Sequence, residues 1–354
     1  MPLLDTLKDW WAHDASGAVV HDLAAAAVTP SGDTGAACTA GLHYFRLWLA
    51  EMRVARDKEW FATRHPAVHA LVRLRFGDVM VELPTIAGPM SLPGLDEAHL
   101  GDVVQLDYPL TPLLPYNGGI VEVAAGLVAL EGGRVLGEFI GAIETVTSVL
   151  AQPPLSTALA AVGPVTSAVQ TLFGAGKGRQ HLGLHVAYAG AGAPQALHAG
   201  YLAVVRRAAA PIDAAALRVE TGRLRLRGEP LDGADSMLFR IERMTERDDW
   251  DSLATIARPF RDALTALAHR DETMAEALVR RAVLEAYSSP DLTRADRPRV
   301  CAEIKRTYQD ARDAGLGLER SATSLSQAMA AALPAATLAR QAPPTLSSLL
   351  DLTT

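Results

Sequence analysis

VHALVRLRF, residues 68–76, followed by Gly77-Asp78 and VMVEL, residues 79–83, is the stretch that decides the fold. Val68, Ala70, Val72 and Leu74 alternate with Leu71, Arg73 and Arg75. A period of two puts alternate side chains on opposite faces of a strand. Gly-Asp between two such runs suits a tight turn, so the stretch predicts a β-hairpin.

Working outward, strand texture continues on both sides. HYFRLWLAEMRVA (43–55) fits a helix or a strand, and its aromatic content favours the strand. VVQLDY (103–108) reads as another strand, and IVEVAAGLVAL (120–130) as one with a possible bulge at Gly126. HLGLHVAY (181–188), YLAVVRR (201–207), LRVETGRLRLR (217–227, turning at Thr221-Gly222) and MLFRIERM (237–244) extend the pattern. Short strands at regular intervals predict a mainly antiparallel, sandwich-like domain over 1–246.

One insertion interrupts it. Residues 131–176 read as an αα-hairpin: Leu136, Ile140 and Ile143 keep helical spacing, Pro153-Pro154 breaks the run, and Leu155–Phe173 resumes it. No charged residue lies between Glu144 and Lys177. The Leu, Val and Phe residues of 155–173 contribute only about −3 kcal/mol on the insertion scale, and the Ser, Thr, Gly, Pro and Gln residues among them largely offset it. Glu138 and Glu144 oppose insertion further. The hairpin is therefore expected as core, as a binding surface, or as an element that enters a membrane only on activation. Residues 3–13 read as a short amphipathic helix whose tryptophans are expected to pack on the domain; a membrane-surface anchor is the alternative, opposed by Asp5, Asp9 and Asp14 against Lys8.

After residue 247 the period becomes helical. Leu253, Ile256, Phe260, Leu264 and Leu267 mark one helix, divided by Pro259 or carrying it in the first turn. Asp271 is an expected N-cap for a second, with Met274, Leu278 and Ala282. Val300, Ile304, Tyr308 and Ala311 mark a third, and Leu325, Met329 and Leu333 a fourth. The fold class is thus α+β: a β-rich domain, a helical domain over 247–334 and a tail over 335–354.

The chain has 354 residues, 49% apolar and 21% charged, with a net charge of −7. That is too apolar for wholesale disorder and too acidic for nucleic acid as the expected partner. Cys38 and Cys301 are too few for a disulfide scaffold, which points to a reducing cytoplasm. The first residues lack the pattern of a secretory signal. Arginine far outnumbers lysine (Lys8, Lys58, Lys177 and Lys305), a usage associated with GC-rich bacterial genomes.

Catalytic signatures are sparse. GAGKG at 174–178 lacks the P-loop glycine, because position 171 is Thr, and the Ser or Thr after the lysine, because position 178 is Gly. No HExxH, GxSxG, CxxC pair, EF-hand loop or GxGxxG occurs, so no cofactor is expected. His65/His69 and His181/His185 are spaced i,i+4. In strands that spacing separates imidazoles by roughly 13 Å, too far to share one ion, although one from each pair could meet across strands as a metal or hydrolytic cluster. Cys38 and His43 form a weak thiol–imidazole candidate. Asp232 and Asp235, in LDGAD, read as turn residues.

Two features suggest a partner. Tyr116 stands in a Pro/Gly-framed loop, TPLLPYNGG (111–119), which could present an aromatic. Arg218, Arg223, Arg225 and Arg227 alternate on one hairpin and could make a basic face. The leading expectation is a non-catalytic cytoplasmic adaptor or scaffold that binds another protein, with a place in bacterial signalling or defence. The alternatives are a membrane-active effector deploying the 131–176 hairpin and a hydrolase using the histidines.

Overall fold

The computed structural model describes residues 18–55, 64–77, 79–88, 103–131, 178–190, 192–207, 211–314 and 350. The expected 131–176 hairpin (beyond Glu131), the 3–13 pattern, the fourth helix and all of the tail but Leu350 lie outside them. The chain divides into two compact units, Met1–Thr245 and Glu246–Thr354. The fold is mixed α+β with mainly antiparallel sheets.

Among the described residues the first unit carries fourteen strands in chain order: β1 Val19–Leu23, β2 Val28–Thr29, β3 Tyr44–Arg53, β4 Arg64–Phe76, β5 Val79–Ala87, β6 Val103–Pro109, β7 Leu114–Pro115, β8 Val121–Glu131, β9 Gly178–Tyr188, β10 Gly200–Arg207, β11 Leu217–Glu220, β12 Arg223–Leu226, β13 Glu229–Pro230 and β14 Ala234–Met244. They form a first sheet ordered β1-β10-β14-β3-β6, with β7 also on β3, a second ordered β5-β4-β8-β9, and a small third ordered β13-β12-β11-β2. Among the described strand pairs only β11–β2 is parallel.

The hairpin at residues 68–83 forms as its pattern predicts. Phe76 pairs with Val79, and Gly77 takes φ +57°, a left-handed conformation that suits glycine. Val68, Val72 and Leu74 of β4 enter one hydrophobic cluster with Val123 and Leu127 of β8 and Leu184 of β9. Phe45 and Leu49 of β3, Val204 of β10 and Phe239 of β14 join the same cluster from the first sheet. On that sheet's other face, Ala50, Ala203, Val205 and Leu238 pack with Val28, Leu217, Val219 and Leu224 of the third sheet. The first sheet is therefore covered on both faces, which explains why 43–55 lacks clean alternation: a strand buried on both sides has no polar face. Gly126 pairs in register with His69 and Gly183, and the irregularity falls next to it, between Leu127 and Val128.

Among the described residues the second unit carries the helices α1 Ala254–Ala268, α2 Glu272–Ser288 and α3 Arg297–Asp313. Phe260 and Leu264 of α1, Val279 and Val283 of α2, and Ile304 and Tyr308 of α3 share one core, against which Leu350 packs. Asp271 caps α2 by accepting from the Met274 N–H at 3.0 Å. Met274, expected on the apolar stripe, is 51% exposed; Ala275 is buried instead. Pro259 neither divides α1 nor sits in its first turn; it is buried within the helix, in the second turn. Beside these helices, the buried Arg247 donates from Nε to Asp249 and from Nη1 to the Asp291 carbonyl, and its backbone N–H reaches Asp296.

Candidate functional site

The third sheet places the arginines. Leu217, Val219 and Leu224 turn inward, so the intervening residues face out. Thr221 (φ +49°) and Gly222 (φ +77°) make the two-residue turn that fixes the register. Arg218 then stands opposite Arg225, and Glu220 opposite Arg223. Like charges directly opposed across a ladder are unfavourable, and opposite charges favourable.

The four arginines divide by environment. Arg223 and Arg225 serve Glu51, a buried carboxylate of β3 whose Oε2 accepts from the Leu224 N–H at 3.2 Å. Burial raises the Glu51 pKa, and that N–H together with Arg53, Arg223 and Arg225 works against the rise. Arg218 and Arg227 instead line an open cavity of about 460 Å³ with Asp213, Ala215, Ala216 and Gly228. Arg218 Nη1 donates to the Ala215 and Leu217 carbonyls, each at 2.7 Å. Asp213 Oδ1 accepts from the Ala215 N–H at 3.1 Å. Among the described residues no carboxylate lies within ion-pair distance of Arg218, Arg225 or Arg227, whereas Arg46, Arg73, Arg206 and Arg243 stand against Glu242, Glu82, Asp235 and Asp33.

A second constellation joins the two large sheets. On β9 the chain advances from Leu182 to Gln180 while β8 advances from Leu127 to Val128, leaving His181 as the extra residue of a bulge. Bulges re-aim side chains, and this one brings His181 Nδ1 to 3.3 Å from Asp235 Oδ2. The same oxygen accepts from Arg206 Nη2 at 3.1 Å, and Oδ1 accepts from the Ala55 N–H at 2.8 Å. Burial alone would raise the Asp235 pKa; the donors from His181, Ala55 and Arg206 outweigh it and hold the carboxyl below its ordinary range. His181 Nε2 is buried with no hydrogen-bond partner among the described residues. Asp235, read from sequence as a turn residue, lies instead within β14 and is 8% exposed.

The other histidines are not gathered with it. His65 belongs to β4, but its side chain lies outside the described residues. His69 is enclosed, and burial pushes its pKa down to about 3, so it stays neutral. His185 Nε2 lies 3.6 Å from Glu122 across the β8–β9 ladder and is partly exposed. Among the described residues no three His, Cys, Asp or Glu side chains converge as metal ligands.

Tyr116 is a correction: it is a core residue at 1% exposure, not an aromatic offered to a partner. Its ring meets Phe45 edge-on at 6.4 Å, its hydroxyl donates to the Gly119 carbonyl at 3.2 Å, and its N–H donates to the His43 carbonyl. The backbone of a Pro/Gly-framed loop is pinned here, so the ring turns inward. Cys38 and His43 form no thiol–imidazole hydrogen bond. Burial pushes the Cys38 thiol up to about 11, and His43 Nδ1 accepts from the Thr39 N–H at 2.8 Å. Burial, then the Arg243 guanidinium at 3.2 Å from Nε2, lowers the His43 pKa.

Comparison of the chain with protein-family models, with curated proteins and with solved structures gives no match. No helix among the described residues is long and apolar enough to cross a membrane.

Proposed function

We propose that this chain is a non-catalytic protein-interaction component, an adaptor or scaffold, and that the outer face of its third sheet docks an acidic protein partner. One observation carries the reading: Arg218 and Arg227 line an open cavity with no carboxylate among the described residues in ion-pair distance, in a chain of net charge −7. In this reading the two large sheets form a sandwich-like scaffold, the third sheet supplies the recognition surface, and the protein works in the cytoplasm of a bacterium, in signalling or defence. The test is fluorescence anisotropy of the full chain with acidic and neutral peptides of equal length. Salt-sensitive binding of the acidic peptides, abolished by Arg218→Glu, supports the reading. Equal affinity for both peptide classes, or indifference to the substitution, refutes it.

The His181–Asp235 pair favours a second reading, a hydrolase in which Nε2 of His181 takes a proton from water or a hydroxyl. Hydrolysis of p-nitrophenyl acetate by the full chain is the check. A rate that falls to background in His181→Ala and follows the titration of one imidazole supports it; equal rates in both proteins dispose of it.

A further inference from the structure

We infer that Arg218 and Arg227 form a site for a phosphate monoester carried on a side chain of the partner protein. The inference rests on the adaptor reading and names the group that this face recognises.

Three features of the site converge. First, Arg218 is pre-oriented. Its Nη1 is tied to two carbonyls, while Nε and Nη2 have no partner among the described residues. A guanidinium fixed along one edge loses little freedom when its other N–H groups take up oxygens. Second, Arg227 occupies a costly backbone position. It is the first central residue of the Arg227-Gly228 turn between β12 and β13, at φ +55° beside Gly228 at +84°. Asn or Gly suits that position better than a long side chain. An arginine there breaks the local rule at the rim of the cavity it lines. Third, Asp213, the only carboxylate lining the cavity among the described residues, already has one oxygen engaged by the Ala215 N–H. Two cations thus face one anion across open space.

Charge selects the ligand class. A single carboxylate brings one charge and two oxygens, which one guanidinium satisfies. A phosphate monoester brings about −1.5 to −2 charges and three acceptor oxygens, enough for two guanidiniums at once. A nucleic acid presents a long row of monoanionic diesters, which the net charge of −7 repels. The patch is short and local, as suits one phosphorylated residue in a loop or tail.

The experiment measures binding of a fluorescein-labelled peptide containing one phosphoserine to the full chain, beside the same peptide with serine or with glutamate. Inorganic phosphate is the competitor. The expected result is binding of the phosphopeptide that is at least about tenfold tighter than that of either control, a difference of about 1.4 kcal/mol. Arg218→Ala and Arg227→Asn should each weaken it at least about tenfold, as loss of one charge-assisted fork demands. Asn accepts the left-handed conformation, so Arg227→Asn keeps the turn, and an unchanged melting temperature separates lost recognition from lost folding. Arg280→Ala, which removes an exposed pair with Glu276 in α2, should leave binding unchanged. If the glutamate peptide binds as well as the phosphopeptide and both depend on Arg218, the phosphate inference falls and the adaptor reading stands. Phosphopeptide binding indifferent to Arg218 and Arg227 refutes both assignments. Inorganic phosphate bound as tightly as the peptide, or no binding by any of the four probes, overturns the phosphoprotein assignment.

Discussion

Replacing Asp235 by Ala should unlock the seam between the two large sheets. Three donors converge on its carboxylate: His181 Nδ1, Arg206 Nη2 and the Ala55 N–H. Alanine leaves all three without an acceptor. Orphaning a buried neutral donor costs about 1–3 kcal/mol. The imidazole and the amide account for most of the loss, because the Arg206 side chain is 27% exposed and water can replace part of its pairing. A destabilisation of about 3–5 kcal/mol follows, the range for removing one partner of a buried ion pair. Asp235→Asn keeps the shape and one acceptor, so about half that loss is expected. Urea unfolding followed by far-UV circular dichroism gives the free energy from the midpoint, and hydrogen exchange at the Ala55 amide reports the local opening. The pH dependence is a separate signature. A carboxyl held below its ordinary value in the fold stabilises above its unfolded pKa, near 4, and loses that contribution as pH falls through the lower folded value. The wild type should therefore lose stability in acid more steeply than Asp235→Asn. A loss under about 1 kcal/mol in Asp235→Ala, with Ala55 exchange unchanged, would refute the whole account of this network.

His198 behaves in the opposite sense. The bond from Nε2 to Asp22, opposed by burial and aided by the Ala196 carbonyl on Nδ1, raises its pKa to about 8. Its contribution is complete below the unfolded value near 6.5 and fades as pH rises through 8. Partial exposure limits it to about 1 kcal/mol. A melting curve against pH should show this limb, and Asp22→Asn should flatten it. Tyr116→Phe should cost about 1 kcal/mol by removing the hydroxyl bond to Gly119, and Tyr116→Ala about 3–5 kcal/mol by opening a cavity beside Phe45, both read from denaturant midpoints. Arg247→Ala should unfold the helical unit selectively. It strips donors from Asp249 and the Asp291 carbonyl at a cost of about 3–5 kcal/mol, measured as loss of ellipticity at lower temperature while the β-rich signal persists.

What the sequence discloses follows from how local each cause is. The 68–83 hairpin was legible because alternation and a two-residue turn are both written within sixteen positions. The helices were legible for the same reason: a period near 3.6 and the Asp271 cap need no distant partner. Strand 44–53 was ambiguous because its second covered face depends on Val219 and Leu224, far along the chain. Asp235 was misread because LDGAD has turn composition, while the groups that bury it, His181 and Ala55, lie 54 and 180 positions away. Tyr116 is similar: its Pro/Gly frame marks a loop in the sequence, while the His43 carbonyl that pins it lies on a distant segment. The arginine hairpin was visible as a pattern; its division between Glu51 and the open cavity was not, since Glu51 belongs to another sheet.

The third sheet touches the rest of the fold through few inward side chains, chiefly Leu217, Val219 and Leu224. Arg223 and Arg225 are tied to that interior through buried Glu51, whereas Arg218 and the turn at Arg227-Gly228 lie outside it. Those outer positions are in effect exchangeable: a lineage, or an engineer, can rewrite them while Leu217, Val219, Leu224 and the Glu51 contacts beneath stay as they are.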